Sequence, residues 1–302
     1  MVDILMATYN GEAFVEEQVR SIMSQSYTDW RLLVHDDGSI DATMAIIRSL
    51  AAEDNRIVLI EDDVAHLGVA RNFIHLVGCS TAPFVMFCDQ DDIWLSDKVE
   101  TMVRLMEQCE QSQPQVVYSN AYLWNAQRGI ISDKNTLTYP STLRQALFLN
   151  TGIQGASALF NARMRELLCQ PLAHYAMHDH VLLLLGITQG EVHYIHQSLM
   201  YYRQHTNNVT GNAPGSIWKK ILLMWQNRSV PLVSQTHLQG VEAFYAHFKQ
   251  QLTADDQQII EAFLAMPIYG VIRRMMCVCK NHFQLFDSTV LLLIKMLIRR
   301  YI

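Results

Sequence analysis

Three short polar segments carry the residue types that could do chemistry. They are Thr8-Tyr9-Asn10-Gly11, Asp36-Asp37-Gly38-Ser39 and Asp89-Gln90-Asp91-Asp92, and each directly follows a short apolar run. Alternate residues on an extended chain point the same way, so Asp89 and Asp91 could act together. Two carboxylates, with substrate phosphate oxygens, are a typical ligand set for Mg²⁺ or Mn²⁺. The sequence therefore indicates a divalent cation site.

The five aspartates of these segments would repel one another if they gathered at one place. We expect either a cation or a set of hydrogen-bond donors to offset their charge. Helix N-capping is the alternative explanation for a single residue in each segment: Asp37 or Ser39 before one helix, and Ser96 or Asp97 before another.

The elements around these segments predict an open α/β sheet. Apolar runs of strand length alternate, over residues 1–120, with stretches whose apolar residues are three and four apart. This order is typical of a mostly parallel sheet flanked by helices, in which ligands bind at the carboxyl ends of the strands. The predicted strands are Val2–Ala7, Arg31–His35, Arg56–Ile60, Phe84–Cys88 and Val116–Ser119.

The chain continues as an α+β region over 121–214 and as a helical region from 215. Residues 215–302 contain ten basic and five acidic residues, whereas the whole chain of 302 residues has a net charge of −6. An acidic chain of this kind does not favour nucleic acid as a partner. We expect two domains, an enzymatic one over 1–214 and a helical C-terminal region over 215–302.

The order of these motifs resembles a known enzyme family. The segments are ILMATYNGEAFVEEQVRSIMSQSYTDWRLLVHDDGSIDAT, FCDQDDIWLSDKV, MHDH (177–180) and YYRQHTNNVTG (201–211). Together they resemble the inverting nucleotide-sugar glycosyltransferases of family two, which have the GT-A fold. The last two segments resemble the bacterial rhamnosyltransferase branch. The resemblance covers residues 2–211.

The resemblance implies a role for each matching residue. A nucleotide sugar binds in a pocket, a Mg²⁺ or Mn²⁺ ion contacts its diphosphate, and a base takes the acceptor proton during a single displacement. The roles implied are a nucleotide pocket lined by Ala7, Thr8 and Tyr9, a pyrimidine N3–H acceptor at Asp37, a base or diphosphate contact at Arg71, a ribose contact at Asp89, metal contacts at Asp91 and His205, and a catalytic base at Asp179.

Asp179 has an alternative explanation, because it stands where a helix is predicted to begin. A carboxylate there interacts favourably with the helix dipole. Asp179 is nevertheless the only acidic residue between Glu166 and Glu191. Asp92 is the next candidate for the base.

The resemblance implies transfer of L-rhamnose from dTDP-L-rhamnose to a glycan acceptor, which we expect to be a lipid-linked surface-polysaccharide intermediate. Two alternatives remain open: the same fold with another donor such as a UDP-hexose, and a receiver-like signalling module in which Asp36 and Asp37 hold Mg²⁺.

Both ends of the chain bear on where in the cell we expect the protein to be. The start of the chain lacks the basic flank and apolar run of a signal peptide, which predicts a cytoplasmic protein. The apolar run 289–294, with basic residues around it, predicts peripheral contact with the inner face of the cell membrane. A buried helix in a bundle explains the same pattern.

Overall fold

The structure is a computed structural model and describes residues 1–149, 153–204 and 229–302. The chain forms two compact units. The first comprises Met1–Thr136, Ile153–Pro171 and Gly190–Gly211, and the second comprises Leu137–Gly152, Leu172–Gln189 and Asn212–Ile302. The predicted division between residues 214 and 215 lies outside the described residues and stays a prediction.

The described strands all belong to the first unit. They are β1 (Val2–Thr8), β2 (Trp30–Asp36), β3 (Ile57–Leu59), β4 (Phe84–Cys88), β5 (Ile93–Trp94), β6 (Gln115–Asn125), β7 (Gly129–Ser132), β8 (Ala158–Asn161) and β9 (Glu191–Arg203). The described α-helices are α1 (Val15–Met23), α2 (Thr43–Glu53), α3 (Val69–Cys79), α4 (Lys98–Met106), α5 (Leu143–Ala146), α6 (Ala162–Leu168), α7 (His178–Gln189), α8 (Gln235–Phe248), α9 (Ala254–Leu264), α10 (Val271–Asn281) and α11 (Thr289–Ile298).

The strands form one sheet in the order β3-β2-β1-β4-β8-β6-β9-β5, with β7 paired to β6. The first four run parallel, as the sequence predicts, whereas β8 is antiparallel to both of its neighbours and β5 is antiparallel to β9. The sheet is therefore mixed beyond β4. In the parallel part, Thr8 pairs with Asp36 and Met6 pairs with Cys88, so the three predicted polar segments leave the sheet at the same edge.

Helices cover the parallel strands through faces that the sequence spacing already indicates. In α1, Val15, Val19 and Ile22 are fully buried, and Met102 and Met106 of α4 are fully buried too. Residues spaced by three or four lie on one side of a helix, so each helix presents an apolar stripe to the sheet. This packing holds the strand ends that carry the polar segments.

The second unit is helical in its described residues. Its core contains an aromatic cluster, in which the Phe148 ring lies edge-on to Phe263 and Phe283 at centroid distances of 5.2 and 5.5 Å. In α11, Leu291 and Leu292 are buried, so the predicted apolar run is partly core rather than surface. Among the described residues, no helix is long and apolar enough to cross a membrane.

Candidate active site

The first acidic turn follows β2, and Asp36 is surrounded by hydrogen-bond donors. Its carboxylate accepts from the hydroxyls of Thr8 at 2.8 Å and Ser39 at 2.6 Å. It also accepts from the backbone N–H groups of Gly38 at 3.2 Å and Ser39 at 2.7 Å. These bonds hold the end of β1 against the turn after β2, so Asp36 organises the loops beside the predicted nucleotide pocket.

Asp37 is held in a different way. Its two carboxylate oxygens accept from the backbone N–H groups of Leu67 at 2.6 Å and Gly68 at 2.8 Å. Each carboxylate oxygen can accept a second hydrogen bond. Asp37 thus fixes the segment before α3. Its carboxylate oxygens can still accept a further hydrogen bond, as its predicted contact with the pyrimidine N3–H requires. Arg71, the other predicted contact, is exposed in the first turn of α3.

The second acidic turn follows β4 and includes a buried carboxyl with one oxygen that is unpartnered in the described part of the chain. Asp92 is fully buried, and its Oδ2 has no hydrogen-bond partner among the described residues. Burial raises the pKa of Asp92 well above its usual value, and the charges of Asp91 and Asp89 add to this. Burial and the charge of Asp91 also raise the pKa of Asp89 to about 7, although Lys98 opposes the shift. Burial and mutual repulsion therefore disfavour the charged forms of Asp89 and Asp92.

Two buried basic side chains near this turn, Arg203 and Lys98, are not among the predicted site residues. Arg203, at the end of β9, donates from Nε to the backbone oxygen of Asp91 at 2.8 Å, and its backbone N–H donates to Asp92 at 3.2 Å. Its guanidinium also pairs with Glu17. Lys98 is fully buried, lies 3.8 Å from the centre of the Trp94 ring and donates to the Ala156 carbonyl.

Each of these cations has a sequence signal. Lys98 is a charged residue on the apolar face of a helix, four positions before Met102. Arg203 is the last residue of β9, which ends at the ligand edge of the sheet. Trp94, whose ring Lys98 contacts, is 3% exposed and belongs to the core.

The first and third polar segments contact each other through Gln90. Its side-chain amide accepts from the Tyr9 N–H and donates to the Tyr9 carbonyl, both at 3.0 Å. A Cβ atom on Gly11 would lie 2.3 Å from Oε1 of Gln90, so a larger residue at position 11 would displace the Gln90 amide from Tyr9. The Tyr9 backbone is thereby fixed beside Asp89 and Asp91, while its side chain is 53% exposed.

The remaining predicted residues are distributed as follows. Ala7 pairs with His35 in the sheet and is half-buried. Asp179 lies in the first turn of α7, in the second unit, and is 8% exposed. His205 lies outside the described residues. Asp92 is too deeply buried to reach an acceptor hydroxyl, which weighs against it as the alternative base.

Residues of both acidic turns lie within a segment that matches a known protein family. The family model described as "Glycosyl transferase family 2" matches residues 3–169, more than half of the chain. The chain belongs to glycosyl transferase family 2. The match spans both acidic turns and replaces the receiver-like alternative, but it ends before Asp179 and His205.

Relatives in this glycosyltransferase family differ in the donor and acceptor that their names state. WfgD from Escherichia coli, a UDP-Glc:alpha-D-GlcNAc-diphosphoundecaprenol beta-1,3-glucosyltransferase, is 34% identical over 106 residues, or 35% of this chain and 41% of that protein. The dTDP-rhamnosyl transferase RfbG from Shigella flexneri is 37% identical over 102 residues, or 32% of this chain and 35% of that protein. The chain therefore spans less than half the length of these two relatives.

A third relative aligns over more of its length. TuaG from Bacillus subtilis (strain 168), a putative teichuronic acid biosynthesis glycosyltransferase, is 27% identical over 238 residues. These residues make up 74% of this chain and 86% of that protein.

Solved structures confirm the predicted GT-A fold class. TarS from S. aureus in complex with UDP-GlcNAc has a TM-score of 0.54 at 12% identity, over 92% of this chain and 81% of that chain. The mannosyltransferase PcManGT from Pyrobaculum calidifontis, in complex with GDP-Man and Mn²⁺, has a TM-score of 0.53 at 14% identity, over 98% of this chain and 86% of that chain. At such identities the likeness concerns the fold alone.

Proposed function

We propose that this family 2 glycosyltransferase is a metal-dependent inverting enzyme that transfers a sugar from a pyrimidine nucleotide donor to a lipid-linked glycan. The acidic turn after β4 carries the proposal. It places Asp89, Asp91 and Asp92 together, with an Oδ2 of Asp92 that has no partner among the described residues and with raised pKa values at Asp89 and Asp92.

The chemistry of this turn fits a hard divalent cation. Asp89 and Asp91 are partly exposed, so they would hold Mg²⁺ or Mn²⁺ through carboxylate oxygens, the ligands that these ions prefer. When bound, the cation neutralises the charge of the departing diphosphate. The hydrogen bond from Nε of Arg203 to the Asp91 carbonyl holds the backbone of the turn, so that the ligand carboxylates keep their position.

Asp179 is the proposed catalytic base. An inverting transfer is a single displacement, in which the acceptor oxygen bonds to the anomeric carbon as the bond to the diphosphate breaks. The carboxylate takes the acceptor hydroxyl proton in the same step. Asp179 lies in the first turn of α7, where acidic residues are favoured by the helix dipole.

The donor is proposed to be dTDP-L-rhamnose, with a UDP-hexose as the second candidate. RfbG is named for a dTDP sugar and WfgD for UDP-glucose, and both align over about a third of this chain. Both nucleotides contain a pyrimidine with an N3–H, which is the group that Asp37 would accept from. The second candidate therefore shares the nucleotide pocket and differs at the sugar.

A donor panel tests the proposal. We expect dTDP-rhamnose or one UDP-hexose, with Mn²⁺ present, to raise the melting temperature more than GDP-mannose does, because a ligand that binds only the native state stabilises it. EDTA should abolish transfer and Mn²⁺ should restore it. Full transfer in EDTA would contradict the role of the metal.

A matched pair of variants locates the cation. Asp91→Asn should lose transfer even at high Mn²⁺, whereas Asp97→Asn, an equal change of charge at an exposed position six residues away, should keep it. Equal activity of the two variants would contradict the assignment of Asp91.

The acceptor is proposed to be lipid-linked and to be met at a membrane surface. WfgD is named for an acceptor with a diphosphoundecaprenol anchor. In this chain α10 has an exposed apolar pair, Ile272 at 75% and Met276 at 60%, on one face of the helix. Arg273 and Lys280 are exposed on the same helix. Apolar side chains beside basic ones suit the interface of an anionic bilayer.

Liposome sedimentation tests this surface. The protein should pellet with anionic vesicles at low salt, since each basic residue near such a surface contributes about 1 kcal/mol. The double variant Ile272→Ser/Met276→Ser should pellet less. The double variant Ile130→Ser/Ile131→Ser, at an exposed apolar pair of β7, is the matched control and should behave as wild type. Equal pelleting of the two double variants would contradict the proposed surface.

A further inference from the structure

Two histidines and an aspartate from three different elements meet in the first unit. His35 lies near the end of β2, Asp62 follows β3, and His75 lies in α3. One nitrogen of each histidine and one carboxylate oxygen lie within 4.8 Å of one another. The Nε2 atoms of His35 and His75 are 3.2 and 2.8 Å from the two oxygens of Asp62. None of the three has a role in the proposed transfer reaction.

The protons on His35 are constrained by Asn72. The Asn72 amide nitrogen donates to the His35 carbonyl at 3.3 Å, which leaves its Oδ1 to accept from Nδ1 of His35 at 2.7 Å. Nδ1 therefore carries a proton. In the neutral imidazole, Nε2 then has a lone pair, and this lone pair faces a carboxylate oxygen of Asp62. Two acceptors face each other unless a proton or a metal ion lies between them.

The surroundings favour a metal ion. A histidine ligand typically donates its other ring N–H to a carbonyl or carboxylate oxygen, and Asn72 supplies such an acceptor to His35. His35 is 2% exposed, whereas the side chains of His75 and Asp62 are 27% and 33% exposed, so the cluster opens to solvent on one side. An ion can enter there, and a water molecule can complete its coordination.

We propose that His35, Asp62 and His75 form a binding site for a divalent transition metal ion of the Zn²⁺ class. Imidazole nitrogens suit Zn²⁺, Ni²⁺ and Cu²⁺, whereas Mg²⁺ and Mn²⁺ prefer sites made of oxygen. Two histidines and one carboxylate, with solvent as the fourth ligand, form a recurrent zinc site. The donor set thus distinguishes this site from the acidic turn after β4.

The metal would act on the predicted nucleotide pocket through the backbone. Asp62 opens the segment that ends at Leu67 and Gly68, whose N–H groups hold Asp37. An ion bound by Asp62, His35 and His75 would tie this segment to β2 and α3. The site would therefore stabilise the loop that positions Asp37.

Zn²⁺ binding measured calorimetrically in the absence of nucleotide tests the site. The metal-free protein should bind one Zn²⁺ tightly. His75→Ala and Asp62→Asn should each weaken this binding at least about tenfold, as expected when a metal site loses a supporting group. His66→Asn is the matched control, because His66 is an exposed histidine of the same segment and Asn tolerates its positive φ of 59°. It should bind Zn²⁺ as wild type does.

Imidazole ¹⁵N NMR spectra of wild type give an independent readout that requires no variant. The ¹⁵N chemical shifts of the His35 and His75 ring nitrogens should change on addition of Zn²⁺. Those of the His66 ring nitrogens should stay the same. Zn²⁺ binding of equal strength in wild type and His75→Ala would overturn the proposal by placing the metal elsewhere. Absence of Zn²⁺ binding to wild type would overturn it in favour of an imidazolium–carboxylate pair.

Discussion

The two acidic turns leave the same edge of the sheet and differ in what surrounds their carboxylates. Asp36 accepts four hydrogen bonds and Asp37 accepts two, so donors of the neighbouring loops offset their charge. In the turn after β4, Asp92 has an oxygen without a partner among the described residues, and the pKa of Asp89 rises to about 7. Donors therefore organise the first turn, and the second is the turn to which we assign the proposed cation.

The difference shows that residue type does not determine the role of a carboxylate. Sequence reasoning offers a cation or hydrogen-bond donors as alternatives for all five aspartates, and each alternative fits one turn. The N–H groups of Gly38 and Gly68, both of which have positive φ, supply two of the six hydrogen bonds, and Thr8, Ser39 and Leu67 supply the others. The turn after β4 contains no glycine.

The largest expected effect concerns the base, which we assign to neither turn. Asp179→Asn should lower transfer by about 10²–10⁴-fold, since Asn keeps the shape but cannot accept the proton. Binding of metal and nucleotide should stay normal. A steady-state transfer assay, with calorimetry for donor binding, checks this.

A matched control is Asp256→Asn, because Asp256 is also an acidic residue in the first turn of a helix of the second unit. It should transfer at the wild-type rate. If Asp179→Asn stays within about threefold of wild type, Asp179 only stabilises its helix, and the base lies elsewhere.

The next largest effect is a difference in the free energy of unfolding between variants of the two acidic turns. Asp36→Asn should reduce the free energy of unfolding by about 2 kcal/mol, because charge-assisted hydrogen bonds are about twice as strong as neutral ones. Urea denaturation of the metal-free protein measures this.

Asp92→Asn is the contrasting variant of the same size and charge change. It should raise the free energy of unfolding by about 1 kcal/mol, because it removes a buried carboxyl whose raised pKa opposes folding at neutral pH and whose Oδ2 has no partner among the described residues. If both variants change stability in the same direction by the same amount, the distinction between the turns is wrong.

A smaller effect follows from the raised pKa of Asp89. Between the unfolded value near 3.9 and the folded value of about 7, the unfolded chain binds fewer protons than the native protein. The metal-free protein therefore loses stability from this group as pH rises, by about 1.4 kcal/mol per pH unit.

The variant Asp89→Asn isolates this contribution. The difference between its unfolding free energy and that of wild type should grow in its favour from pH 5 to pH 7. A constant difference across that range would show that Asp89 ionises normally in the native protein.

Much of this architecture could be predicted from local pattern, and the rest depends on contacts distant in sequence. Apolar runs predict β1, β2 and β4 because fully buried parallel strands are continuous apolar segments. The prediction for β6 ends at Ser119 although the strand continues to Asn125, because polar Asn120 interrupts the run while its side chain bonds the Thr136 carbonyl. Local pattern cannot show such a partner.

The candidate site likewise combines segments that local pattern predicts with contacts between residues distant in sequence. Motif order predicts the three polar segments, and the structure places them at one edge. Arg203 reaches the turn from a strand more than a hundred residues later, and Lys98 reaches the Ala156 carbonyl from α4. The sequence marks Lys98 and Arg203 as unusual charged residues, but spacing along the chain does not show which distant groups they contact.

Mn²⁺ binding to the two turns tests the central claim most directly. Wild type, Asp91→Asn and Asp36→Asn should be titrated with Mn²⁺ in the presence of UDP or dTDP, with binding followed by electron paramagnetic resonance. We expect Asp91→Asn to bind Mn²⁺ at least about tenfold more weakly than wild type, and Asp36→Asn to bind within about threefold of it. Equal weakening in both variants, or wild-type binding in Asp91→Asn, would contradict the assignment of the cation to the turn after β4.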